Sequence, residues 1–301
     1  MDSLLTKERI GMEKISPSAL DCYEQCPKLF YYQNWLGLKL NEDTLHMDFG
    51  NAIHEVLGYI HLLYDDNFGG GWEGQLFEDV EKRFLKLWTL NKVGKETFEK
   101  YMQTRAGRES GFKEPKDLYN YFKKDGIIIL KSYWDNKEIL LTEQDNDLSD
   151  FEKYMKVEII NPENPKEKLP IPLSMRLDAI NRNKTKIVDF KTSGSKYDEI
   201  ETRKKIQGQC YLFGYLMTTG NLINRFDYIV LRKGLKSPDR VEIVSLNYDR
   251  ADMIAFFFRV KNILLRISNR EFERQKVGHL PYCKCKEYEE ALNVKEIELL
   301  K

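Results

Sequence analysis

Residues 174–193 read SMRLDAINRNKTKIVDFKTS, and this stretch decides how the rest of the chain is read. Ile171–Ile180 and Lys186–Phe190 are apolar enough to be strands, and Asn181, Arg182, Asn183 and Lys184 between them are turn formers. Asp178 follows one apolar run and Asp189 ends the next. Paired strands lie about 4.8 Å apart, so a hairpin lets the two carboxylates converge. Lys191 stands two residues after Asp189. Alternation along a strand places i and i+2 on one face, so its ammonium can point where Asp189 points.

Convergent carboxylates repel unless something neutralises them. A divalent cation does so, and hard oxygen ligands favour Mg2+ or Mn2+ over zinc. Such an ion acidifies water, polarises a phosphoryl oxygen and stabilises a leaving group. An adjacent ammonium offsets negative charge in the transition state. Asp178, Asp189 and Lys191 are therefore sufficient equipment for phosphodiester hydrolysis. A D-x-K triplet by itself is common, and Asp189 and Lys191 could equally be an edge pair in a solvated turn. The apolar strand before each acid is what favours the hydrolytic reading.

Outward from the hairpin, Tyr154–Ile160 reads as a preceding strand and Pro162–Pro172 as a turn-rich connection. Glu201–Met217 has a helical pattern. Phe226–Leu231 and Val241–Leu246 read as two further strands around a turn at Gly234–Pro238. Asp249 starts a long helix with Ile254, Phe257, Phe258 and Leu265 expected inside. Upstream, Ser16 is an N-cap with Pro17 at the first helical position. A second helix begins near Phe49, with Ile53, Val56, Leu57 and Ile60 as its apolar stripe. Gly69, Gly70 and Gly71 break the chain after it. Residues 72–150 look like a helical insertion or cap, with a loop at Arg105–Pro115. The pattern predicts an α/β fold: one domain over 1–301 with a mixed central sheet flanked by helices.

Of 301 residues, 42% are hydrophobic, enough for a sizeable core. Lys plus Arg equal Asp plus Glu at 48 each, so any polyanion must meet a local groove rather than a basic surface. Lys92–Lys131 holds ten Lys/Arg against six Asp/Glu, so charge is unevenly spread. The first residues contain no apolar run of signal-peptide length, and no run is long enough to span a membrane. Five cysteines make no secreted framework. A cytoplasmic protein of a bacterial or phage-infected cell, kept reduced, is the expectation.

SPSALDCYEQCPKLFYY (16–32), GNAIHEVLG (50–58), MRLDAI (175–180), DFKT (189–192) and QCYLF (209–213) occur in one order along the chain. Together they resemble the RecB-type branch of the PD-(D/E)xK nuclease superfamily, whose motifs run SxSxLxxYxxCPxxFxY, GxxxHxxxE, G-R-I-D, D-[YF]-K-T and Q-x-x-x-[YF]. The resemblance implies a restriction-endonuclease-like fold and a bound Mg2+ or Mn2+. His54, Asp178, Asp189 and the backbone carbonyl of Phe190 would hold the metal. Lys191 would be the catalytic lysine. Gln209 would lie over the site, with Gln207 as a competitor and Glu158 as a weaker supporting acid. Met175 replaces the family's glycine, and Phe213 replaces tyrosine. A helix histidine beside an apolar stripe is ordinarily a core residue, and it is the GNAIHEVLG context that makes His54 a ligand candidate. HEVLG is not a metalloprotease site, because the second histidine of H-E-x-x-H would fall at Gly58.

Some members of that branch hold an iron–sulfur cluster on one upstream cysteine and three C-terminal ones spaced C-x2-C-x5-C. Here Cys26 matches upstream, but Cys283 and Cys285 stand alone in PYCKCKEYEEAL, with Ala291 near the place of the third. Cys22 would have to complete a set of four. The spacing argues against a cluster, and Cys26 also suits a structural role. Cys210 reads as core.

The resemblance implies a DNA nuclease, foremost an exonuclease acting on ends or single strands in recombination, repair or phage DNA processing. A flap or junction endonuclease and a non-catalytic DNA-binding module on the same fold are the alternatives. No G-x-x-x-x-G-K-[ST] motor motif occurs, so a helicase or recombination protein would be a separate partner. Phe30, Tyr31 and Tyr32 could stack bases, though anchoring their helix to the core is the commoner use. Arg105, Arg108, Lys113 and Lys116 could touch phosphates or simply face solvent.

Overall fold

The computed structural model describes residues 5–40, 44–64, 76–136, 148–181, 183–274 and 283–294. The glycine run at 69–71, Arg182 and residues 137–147 lie outside them. Helices α1 (Lys7–Ile10), α2 (Pro17–Gln25) and α3 (Pro27–Phe30) open the chain, and α3 runs into a π-helical turn at Tyr31–Trp35. Ser16 caps α2 by accepting from the Ala19 amide, with Pro17 in the first turn. The long helix α4 (Leu45–Tyr64) follows, then α5 (Phe77–Leu87), α6 (Lys95–Gln103), α7 (Arg105–Ser110) and α8 (Pro115–Asp135). The expected loop at 105–115 is partly helix α7. Thr104 caps it, and Gly111, at φ 73°, ends it in the left-handed conformation that glycine adopts without strain.

Strands β1 (Leu148–Val157), β2 (Ile160–Asn161), β3 (Asn164–Lys168), β4 (Leu173–Asn181) and β5 (Lys186–Ser193) come next. The connection expected at 162–172 contains the small β2–β3 hairpin. Helices α9 (Glu199–Lys204) and α10 (Ile206–Thr219) lead to β6 (Arg225–Arg232) and β7 (Val241–Asn247). Helices α11 (Arg250–Ser268) and α12 (Cys285–Val294) complete the described chain. The predicted helix over 201–217 is thus two helices, with Lys205 in extended conformation between them.

Five strands form one mixed sheet in the order β1-β4-β5-β6-β7. β1 with β4, β4 with β5, and β6 with β7 are antiparallel, while β5 and β6 run parallel. A parallel pair needs a crossover, which α9 and α10 supply. Alternation sends Ile187 to one face of β5 and Val188 and Phe190 to the other. The Ile187 face packs against α2, α10 and α11 through Leu20, Tyr23, Phe213, Phe256 and Phe257. The Phe190 face packs against α4, α5 and α8 through Ile53, Leu57, Phe84, Phe122 and Ile129. Gly126 lets α8 come this close, since a Cβ there would lie 2.3 Å from the Phe84 ring.

The buried stripe of α11 is Met253, Phe256, Phe257, Val260, Ile263, Leu264 and Ile267. Phe258, expected inside, is 47% exposed, and Ile254 and Leu265 are only half-buried. An unbroken FFF run leaves the phase of a helix open, and the sheet selects the 256/257/260 stripe. Phe30 and Tyr32 are buried, so their rings anchor α3 and its π turn instead of meeting solvent. Arg105 is paired with Glu109 at 2.8 Å and the Arg108 side chain donates to the Gln103 carbonyl, so both cations have local partners. No helix among the described residues is long and apolar enough to cross a membrane.

Candidate active site

The β4–β5 hairpin delivers both acids to one place. Ala179 pairs with Val188 and Ile180 with Ile187, so Asp178 comes beside the end of β5. There the Phe190 backbone N–H donates to Asp178 Oδ2 at 2.8 Å. Asp189 is 1% exposed, and Lys191 Nζ lies 2.7 Å from its Oδ2, as the two-residue spacing predicts. Oδ2 has no aligned hydrogen-bond donor among the described residues, although the ammonium is at ion-pair distance. Oδ1 accepts from Gln207 Nε2 at 2.7 Å.

His54 enters from α4 on the opposite face of the hairpin. Its Nδ1 is 3.7 Å from Asp178 Oδ2. Burial lowers its pKa, partly countered by Asp189 and by the Phe190 backbone acting as acceptor. The ring is therefore held neutral, the form that ligates a metal. Two turns further along α4, His61 shows the plain alternative. It is buried, bonds Tyr133 Oη at 2.8 Å, and burial takes its pKa down to about 3. Of the three histidines on this helix, His61 serves the core and His54 lines a cleft.

Burial pushes the Asp178 carboxyl up to about 7, and the Asp189 charge adds to the rise. Burial alone would lower the pKa of Lys191, but the charge of Asp189 at ion-pair distance, with that of Asp178, outweighs it and the net shift is upward. Lys191 is thus a firm cation and not a base. Two acids repelling across a buried gap, a buried oxygen with no aligned donor, a neutral imidazole and a backbone carbonyl form a donor set that suits one hard divalent cation. The residues present fit the group that the fold implies.

The glutamine differs from expectation. Gln207, not Gln209, reaches Asp189, and its Nε2 also donates to Tyr211 Oη at 2.9 Å. Positions two apart on a helix are rotated by about 200°, so only one of the pair can face β5. Gln209 points the other way and accepts from Arg259 Nη1 at 2.8 Å, within a clamp that also holds Glu24. The signal was present in the sequence: Gln207 and Tyr211 themselves satisfy Q-x-x-x-Y, so the departure at Phe213 disappears. Met175, in place of the family's glycine, finds its room at Gly214, where a Cβ would lie 1.7 Å from the Met175 methyl. Glu158 pairs with Lys168 at the surface, away from these groups.

Two clefts meet at the hairpin. One, of about 570 Å³, is lined by Ser16, Ser18, Tyr154, Lys191, Lys205 and Gln207 among others. The second, of about 540 Å³, is lined by Asn51, His54, Glu55, Glu152, Arg176 and Asp178. Arg176 borders both. Sequence reasoning missed Asn51, Glu152 and Arg176. Arg176 could have been found, since it stands two residues before Asp178 on the same strand. Glu152 could not: it lies between Phe151 and Lys153, which pair with Ala179 and Leu177, and so stands across from Asp178 only in the folded register. Its φ of 53° is unusual for a non-glycine residue. Its carboxylate pairs with Arg176.

At the far end of α2, Cys26, Cys283 and Cys285 place their sulfurs within 4.8 Å of one another. Cys22 lies outside that trio, its Sγ 3.8 Å from Gln33 Oε1, and burial pushes its thiol up to about 12. Cys210 is buried in α10, as expected of a core residue.

The model of the PD-(D/E)XK nuclease superfamily matches residues 14–288, and the chain belongs to that superfamily. The match spans every site element described above. Among solved structures, a candidate exonuclease from Eubacterium rectale is similar at 14% identity over 92% of this chain and 88% of that one, with a TM-score of 0.47. The protein SSO0001 is similar at 14% identity over 86% and 83%, with a TM-score of 0.32. At these scores neither likeness carries weight. No curated protein matches.

Proposed function

We propose that this chain is a deoxyribonuclease that uses Mg2+ or Mn2+ and acts on DNA ends or single strands. What carries the proposal is the convergence of His54, Asp178, Asp189 and the Phe190 backbone beside the Lys191 ammonium, where two clefts meet. His54, Asp178, Asp189 and the Phe190 carbonyl would hold the ion. When bound, it supplies Lewis acidity toward a phosphoryl oxygen and acidifies water. Lys191 offsets charge building on the phosphate and orients the attacking water. Gln207 fixes the Asp189 carboxylate, and Tyr211 fixes Gln207 in turn. Arg176, bordering both clefts, holds a phosphate next to the scissile one. Helices α5 and α8, packed on α4, with α6 and α7 beside them, shape the path of the strand.

The preference for ends follows the resemblance to the RecB-type branch. Flap or junction cleavage is the second reading, and the open meeting of two clefts is what favours keeping it. End-labelled single- and double-stranded DNA, with Mg2+, Mn2+ or chelator, tests the first. Lys191→Ala is expected to lower kcat about 10²–10³-fold. Full metal-dependent cleavage by Asp189→Ala would overturn the site. Cleavage of closed single-stranded circles would replace the end-dependent reading with the endonuclease one. A helicase or recombination partner would supply any unwinding.

A further inference from the structure

The thiol group at the end of α2 shares no residue with the lining of either cleft at the hydrolytic site and sits in a separate small cluster. Cys26 is the residue between α2 and α3, and its sulfur accepts from the Leu29 amide at 3.4 Å. Cys285 opens α12 and is fully buried, while Cys283 just before it is half-buried. Arg274 Nε donates to Cys285 Sγ at 3.2 Å, and its guanidinium also pairs with Glu289. Cys22 stands four residues before Cys26, its Sγ turned to Gln33 Oε1 at 3.8 Å, and rotation away from that glutamine makes it the fourth ligand beside the trio.

The family's iron–sulfur cluster does not fit this arrangement. A [4Fe–4S] cluster binds each thiolate through a different iron, and a [2Fe–2S] cluster divides four thiolates two to an iron, so in neither do three thiolates share one metal. That forces at least one of any three cysteine sulfurs well apart from the others. Here three sulfurs lie within 4.8 Å of one another. Thiolates sharing one tetrahedral ion with metal–sulfur bonds of about 2.3 Å sit roughly 3.8 Å apart, which this trio reaches by small side-chain rotations. The C-x-C spacing of Cys283 and Cys285, with no third cysteine at 291, leads to the same conclusion.

We propose that Cys22, Cys26, Cys283 and Cys285 bind one zinc ion that fastens helix α12 to α2 and α3. Metal entry displaces the thiol protons, and Zn2+ balances half of the charge of four thiolates. Arg274 and the Leu29 amide stabilise the remainder from outside the ligand set. The need for such a fastener is visible in the packing. Helix α12 rests on a small separate cluster of Cys26, Tyr32, Leu38, Cys285 and Tyr288. Tyr32 and Tyr288 stack at 5.4 Å, and the Tyr288 hydroxyl donates to the Leu38 carbonyl. These few contacts close a loop of more than 250 residues, and a metal is a usual supplement to so small a core.

The test is metal analysis of the full chain, purified aerobically and under nitrogen, followed by cobalt(II) titration of the chelator-stripped, reduced protein. The expected result is one zinc per chain without iron or inorganic sulfide. Cobalt should then give thiolate-to-metal charge transfer with intense tetrahedral visible bands. Asp178→Ala/Asp189→Ala should keep that spectrum, which separates this ion from the catalytic one. Cys283→Ser, a half-buried position, should abolish it, and Arg274→Ala should weaken cobalt binding about tenfold. Chelation should also expose α12 to protease in the wild type. Cys22→Ser covers the case in which Cys283→Ser fails to fold, and it should lose intensity in the charge-transfer band. Iron with sulfide in the anaerobic protein, a cobalt spectrum without sulfur charge transfer, or spectra unchanged in Cys283→Ser and Cys22→Ser would overturn the proposal.

Discussion

Asp178 holds its proton far above the ordinary carboxylate range because burial, then Asp189, penalise its charge. In the unfolded chain it ionises near 4. Between about 4 and about 7 the folded protein therefore binds the additional proton, and by linkage its stability falls as pH rises through that window. The metal-free wild type should lose Tm from pH 5 to pH 8, and Asp178→Asn should lose less. A bound divalent ion removes the penalty, so metal affinity should rise with pH up to about 7. Equal Tm profiles for the two metal-free proteins would contradict this account. The two glutamines separate chemistry from scaffolding at the same scale. Gln207→Ala should reduce metal affinity or activity about 10–100-fold. Gln209→Ala should leave kcat near wild type and cost about 1–2 kcal/mol of stability through its bond to Arg259. Denaturant melts and kinetics on both variants check the assignment, and a reversal of the two effects would return the role to Gln209.

Elements are tied to one another by a small number of buried polar links. The main one joins α8 to the β6–β7 turn. Asp125 Oδ1 accepts from Arg240 Nη1 at 3.0 Å, and both side chains are under a tenth exposed. Asp125 Oδ2 accepts from the Gly234 amide at 2.9 Å, and Ser132 Oγ accepts from the Arg240 amide at 2.8 Å. Removing one member strands a buried charge, so Asp125→Ala should destabilise by about 3–5 kcal/mol in urea unfolding. A loss within 0.5 kcal/mol would mean the pair is not desolvated in solution. The link is invisible in sequence, since its partners are 115 positions apart. The hairpin elements, by contrast, were legible: β4 and β5 announce themselves through apolar runs, turn residues and an acid at the same point of each. The β2–β3 hairpin was not, because Asn164–Lys168 is polar and its pairing, not its composition, makes it a strand.

At the scale of the whole molecule, a mixed sheet between two helical layers follows from patterns that single segments reveal. Ile53, Val56, Leu57 and Ile60 mark one buried face in sequence and in structure alike. The phase of α11 and the identity of the site glutamine required the sheet, since each depends on which of two adjacent registers meets a distant strand. The two candidate site acids, Asp178 and Asp189, were legible because they are local to one hairpin. Glu152, Arg176 and the thiol group were not combined in sequence, because their closeness is created by folding. The left-handed residue at Glu152 carries one more implication. β1 is an outer strand of the sheet, its register shifts between Leu148 and Asp150, and Glu152, Lys153 and Lys156 are exposed along it. A border with an irregular register and so many charges offers a poor template to a strand from another copy, so the strand that carries Glu152 to the cleft also guards this edge of the sheet.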